Sequence, residues 1–120
     1  MRVTTDFFVS ALVRRIFSNG GFAAIAKKGA AEAGAVFVIV DRLDGSYDFY
    51  GPAPQTYFTE MREGRVFEKV LTEVERDKIT DKLVREMRMD PDHWVVEIEA
   101  RGGEVDLPLI KDTGEPDRPF

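Results

Sequence analysis

Between Gly34 and Pro54 the chain reads GAVFVIVDRLDGSYDFYGPAP. Val36–Val40 is apolar at every position, the pattern of a strand covered on both faces rather than one. Asp44-Gly45 favours a two-residue type I′ turn, because both positions tolerate positive φ. The returning strand alternates, with Tyr47 and Phe49 on one face and Asp48 and Tyr50 on the other. Gly51-Pro52-Ala53-Pro54 ends it, since proline donates nothing to a ladder. With that turn Leu43 faces Ser46, Arg42 faces Tyr47 and Asp41 faces Asp48. Such a hairpin needs neighbouring chain above and below it.

The flanking segments are expected to supply that cover. Thr5 or Asp6 caps a helix over about 7–18, whose apolar stripe is Phe8, Val9, Leu12, Val13, Ile16 and Phe17. Asn19-Gly20-Gly21 breaks it. A second helix is expected from Phe22 to Ala33, with Phe22, Ile25, Ala26, Gly29 and Ala33 inside and Gly34 as its C-cap. A second hairpin, about 57–62 and 65–71, turns at Glu63-Gly64. Thr72-Glu73-Val74-Glu75 fits a capping box for a third helix running to about Arg88. Ile79, Leu83, Val84 and Met87 line its inner face, and Asp90-Pro91-Asp92 stops it. Trp94–Arg101 alternates as a last strand, with Trp94, Val96, Ile98 and Ala100 on one face. His93, Val95, Glu97 and Glu99 occupy the other. The order α-α-β-β-(β-β)-α-β gives an α+β fold, a mostly antiparallel sheet of about five strands packed with three helices.

At 120 residues and 43% hydrophobic content the chain has the size of one domain with a substantial core. Residues 1–101 are expected to form it, and 102–120, rich in Gly, Pro and charge, a loosely held tail on which Leu107, Leu109 and Ile110 offer docking points. There is no cysteine, which removes disulfides, thiol catalysis and Cys-ligated metals. No signal peptide or membrane-spanning run is visible, so a cytoplasmic location is expected. The net charge of −5 is uneven. Residues 1–34 hold five basic side chains against two acidic ones, and the remainder is net −8. Overall acidity opposes general nucleic-acid binding, while the basic end leaves room for a small anion.

Four blocks in order, FFVSALVRRIF, GGFAAIAKKGAAEAGAVFV, YGPAP and DPDHWVVEIE, resemble a family of short alphaproteobacterial proteins described as a domain of unknown function. The resemblance spans most of residues 2–100 and implies a standalone bacterial cytoplasmic protein. It brings no activity, cofactor or catalytic residue to any position.

Three constellations can carry chemistry. If the last strand neighbours the hairpin, Asp41, Asp48, Glu97 and Glu99 converge as ligands for a hard divalent cation in a metal-dependent hydrolase. The bland alternative is a solvated acidic face. Gly20 and Gly21, placed before a helix and bordered by Arg15 and Lys28, offer a phosphate site for a nucleotide or nucleic acid. No Walker lysine follows them, so a plain helix–helix turn competes with that reading. Tyr47, Tyr50 and Tyr57, with Arg14 and Arg15, offer anchors for a protein partner or a second copy of the chain; burial in the core competes there. His93, the lone histidine, follows a turn, and no nucleophile elbow accompanies it. The sequence thus assigns no catalytic residue and calls for no cofactor, and it leans away from an enzyme. It reads best as a protein-binding, regulatory or assembly module without a membrane role.

Overall fold

The computed structural model describes residues 4–53, 66–105 and 107. Helix α1 (Thr5–Ser18) leads into strand β1 (Phe22–Lys27). Strands β2 (Val36–Asp41) and β3 (Tyr47–Pro52) form the hairpin, and β4 (Phe67–Val74) precedes helix α2 (Arg76–Met89). Strand β5 (Trp94–Glu99) and a 3₁₀ turn (Arg101–Gly103) follow. The architecture is α+β, with one five-stranded sheet in the order β1-β5-β2-β3-β4.

β2 lies at the centre of the sheet, and Val36–Val40 are all buried. Its side chains alternate between two cores. Val36, Val38 and Val40 join Val9, Leu12 and Ile16 of α1 on one face. Phe37 and Ile39 join Ile79 of α2, with Phe49 and Val95, on the other. The strand is therefore the middle layer of three, as its unbroken apolar run requires. Each such side chain taken fully out of water contributes about 1.5–3 kcal/mol.

The sheet is mixed: most of its pairs are antiparallel, as expected, but β5 pairs parallel to β2. The described residues hold two α-helices, not three. The expected helix over 22–33 is strand β1 followed by a loop at 28–35. β5 needs a ladder partner on its outer side, and β1 supplies it from Phe22↔Glu99 to Lys27↔Val95. A short alanine-rich run such as FAAIAK takes either periodicity, so the long-range ladder decides. The loop is strapped across the start of β5: Trp94 Nε1 donates to Ala30 O at 2.8 Å, and Ala30 N donates to Asp92 O at 3.0 Å. Gly29 is required there, since a Cβ would press on the Asp92 carbonyl and lie 2.7 Å from Trp94 Cδ1.

The hairpin turn also differs. Asp41 pairs with Tyr47 and Val40 with Asp48, so residues 42–46 form the loop in place of a two-residue turn. Asp41 Oδ1 accepts from Leu43 N at 2.9 Å, and Asp44 Oδ1 accepts from Ser46 N at 2.9 Å and Ser46 Oγ at 2.6 Å. These two Asx turns close a wider loop, with Leu43 at φ 64° and Gly45 at φ 90°. They slip the register by one residue, which exchanges faces.

The capping box at Thr72–Glu75 does not form; Thr72–Val74 end β4, and Glu75 is an N-cap without a side-chain bond. The first strand and turn of the expected second hairpin lie outside the described residues. Leu107, within the stretch expected to be a tail, is buried in the core beside α1. Among the described residues no helix is long and apolar enough to cross a membrane.

Candidate functional site

The register slip decides the fate of the four carboxylates. Asp48 pairs with Val40 and shares the α1 face, whereas Asp41, Glu97 and Glu99 stand on the α2 face. Asp41 and Asp48 therefore do not oppose each other. Glu97 instead accepts from Arg76 Nη1 at 3.1 Å. Among the described residues no group of three or more His, Asp or Glu side chains is arranged to hold a metal ion.

Asp48 is fully buried and carries a different task. It accepts from Arg42 Nη1 at 3.0 Å and from Glu73 N at 2.8 Å, and Lys69 Nζ stands 3.6 Å away. Glu73 takes φ 51° to make its bond. Gly103 closes the cluster: a Cβ there would meet Arg42 Nη1 and lie 2.8 Å from Asp48 Oδ2. Desolvation pulls the Arg42 guanidinium down, but its bond to Asp48 and the charges of Asp48, Glu73 and Asp44 outweigh that and hold it above its ordinary value. The cluster ties the hairpin loop to β4 and to the turn after β5. The sequence holds no signal for it, because it depends on a register that the Asp-Gly pair misstates.

The helix N-terminus needed at Gly20-Gly21 is absent, because β1 follows. The N–H groups of Asn19, Gly20 and Gly21 instead donate to Arg15 O, Phe17 O and Ile16 O, closing the C-terminus of α1. Those groups sit at the negative end of a helix dipole, the reverse of an anion site. Arg15 is exposed on α1, and Lys28 lies beyond the far end of β1, roughly 20 Å of extended strand from Gly21.

Of the proposed partner anchors, Tyr50 is 2% exposed within the core and cannot meet a partner. Burial raises its phenol above the usual value. Tyr47 is half-buried beneath the Arg76 guanidinium, 5.2 Å from its ring centre, and Tyr57 lies outside the described residues. Arg14 and Arg15 are exposed on α1.

Two other features present binding surface. The first is the outer edge of β1, whose one strand partner among the described residues is β5. Phe22 and Ile25 are 46% and 43% exposed along it, and Phe17 is 49% exposed and packs edge-on against Phe22. The second is a groove of about 470 Å³ between α2 and the sheet. Leu83, Val84 and Met87 form its helical wall above Ile39 and Val95. His93, 1% exposed, lines one end; its ring packs edge-on to Phe37 and its Nδ1 lies 2.6 Å from Asp90 O. Half-exposed Val84 and Met87 were legible as an apolar stripe, but not as a stripe only partly covered.

The family described as "Protein of unknown function (DUF1491)" matches residues 3–107. The chain is similar to protein Atu0922 from A. tumefaciens, known from a solution structure, at 50% identity over 89% of this chain and 92% of that one, with a TM-score of 0.76. It is also similar to a DUF1491 family protein from Caulobacter crescentus CB15 seen by crystallography, at 35% identity over 92% and 100% of the two chains, TM-score 0.72. An NMR structure of a DUF1491 family protein from the same organism is 36% identical over 92% and 99%, TM-score 0.72. No curated protein matches the chain.

Proposed function

The chain belongs to the DUF1491 family, whose description assigns no activity, and from that premise we propose that it is a protein-binding module that receives an extended, acidic segment of a partner along β1. The free edge of β1 carries this reading. Among the described residues no loop, cap or turn bonds to a main-chain group of Phe22–Lys27, and a strand edge in that state is a template for pairing with another chain. The opposite edge, β4, is blunted by Glu68, Lys69 and Glu73 and by two register breaks against β3. β1 has one break, between Ile25 and Lys27, and exposes apolar side chains along its length. Arg14, Arg15 and Lys28 are exposed on the elements beside it. An acidic segment suits that surroundings, whereas a second copy of the chain would bring like charge against like.

Peptide-library panning followed by hydrogen exchange tests this. Selected peptides are expected to be acidic and to slow exchange at the amides of Phe22–Lys27. Phe22→Glu, at an exposed position, is expected to weaken them about tenfold without unfolding the protein. Peptides that protect β4 or α2 instead, a failure to select any, or a dimer sealed along β1 would overturn the proposal.

A further inference from the structure

The groove beneath α2 takes in Ala26 and Lys27 at the end of β1 but not Phe22, and its chemistry is more specific than that of an apolar cleft. We propose that it is a binding site for a small apolar carboxylic acid carrying an O–H or N–H donor next to its carboxylate.

The argument starts from His93. Its Nδ1 lies 2.6 Å from the carbonyl oxygen of Asp90. A carbonyl only accepts, so Nδ1 carries the proton, and in the neutral ring Nε2 is a bare acceptor. No described residue donates to Nε2. His93 lines the groove, and its Nε2 has no hydrogen-bond partner among the described residues. A buried acceptor facing an apolar cleft calls for a donor from whatever fills the cleft.

Two cations frame the same end. Lys27 Nζ donates to Pro91 O at 2.9 Å and to His93 O at 2.7 Å, which fixes the ammonium on the main chain at His93 and leaves its third N–H without a partner among the described residues. Arg88 lines the groove and forms no ion pair or hydrogen bond with a described residue. A carboxylate answers Lys27 and Arg88, and a donor on the neighbouring atom answers Nε2. The apolar body then lies along Leu83, Val84 and Met87, over Val95 and Ile39. The volume falls in the range of small-molecule sites, about 300–1,000 Å³. Neutral or cationic amphiphiles of the same length satisfy only part of this set.

A heteronuclear NMR titration with α-hydroxyoctanoate, octanoate and octanol tests the proposal. The hydroxy acid is expected to shift the amides of Val84, Met87 and Val95, and to bind about tenfold more tightly than octanoate, which lacks the donor, or octanol, which has a donor but no carboxylate. Arg88→Ala, at an exposed position, is expected to weaken it about fivefold. His93→Phe removes the acceptor; should that variant fail to fold, the Nε2 resonance of the unaltered protein is expected to move as the hydroxy acid is added. Phe22→Glu, which disables the β1 edge, is expected to leave this binding unchanged. Equal affinity for all three probes, no binding of any at millimolar concentration, or indifference to Arg88→Ala would overturn the proposal.

Discussion

Asp48 shows how much a single side chain can hold in place. It is fully buried, and its partners Arg42, Lys69 and Glu73 come from the hairpin loop and β4, with Gly103 packed against the pair. Breaking a buried ion pair by removing one partner strands the other charge and costs about 3–5 kcal/mol. Asp48→Asn is therefore expected to lower stability by about 3 kcal/mol in urea unfolding. The double change Asp48→Asn with Arg42→Met is expected to recover much of that loss. A single variant as stable as the parent would show the carboxylate to be dispensable. That Asp48 shares a face with Tyr50 was legible from alternation alone. Which face it is depends on residues 42–46, where the Asx turns at Asp41 and Asp44 compete with the two-residue turn that Asp44-Gly45 suggests. Local turn chemistry of equal plausibility on paper moved a carboxylate from one side of the sheet to the other.

At the scale of elements, the segments with strong and unambiguous period were legible: α1, β2, β3, α2 and β5 fall where their patterns place them. Phe22–Ala33 was not, because Ala and Gly fit a helix stripe and an edge strand alike. Gly29 is the informative residue in that run. In a helix it would merely weaken the structure, whereas here it lets the loop lie on Asp92 and Trp94. Gly29→Ala is expected to cost about 1–3 kcal/mol through overpacking and to shift Trp94 fluorescence, because the indole loses its bond to Ala30 O. An unchanged unfolding midpoint and emission spectrum would refute the close approach. The candidate site was less legible than the fold. Met87 and Val84 announce an apolar face, but only the placement of α2 over the sheet reveals that the face is partly bare. His93 gave no sign of its burial, or of the 2.6 Å approach of its Nδ1 to Asp90 O.

For the whole molecule, the parallel contact between β2 and β5 is what local pattern cannot supply, because it joins segments more than fifty residues apart. Global stability carries one pH signature. Burial raises the Tyr50 phenol above its ordinary 10.0, so the folded protein holds that proton more tightly than the unfolded chain does. The resulting stability is complete below pH 10 and is lost as pH climbs through the folded-state value. Alkaline unfolding followed by circular dichroism is expected to coincide with late phenolate absorbance, and Tyr50→Phe is expected to remove that part of the alkaline loss. Phenolate appearing at the ordinary value while the fold persists would contradict the burial argument.

The position of β5 between β1 and β2 has a consequence for how the molecule is made. The segment synthesised last among the described strands is a wedge between two made earlier, so a nascent chain that has emerged only as far as α2 leaves both of them unmatched on facing sides. Completion of the sheet must wait for late translation, and until then the most apolar strand of the protein depends on the ribosome's surroundings, or on chaperones, to stay out of the wrong company.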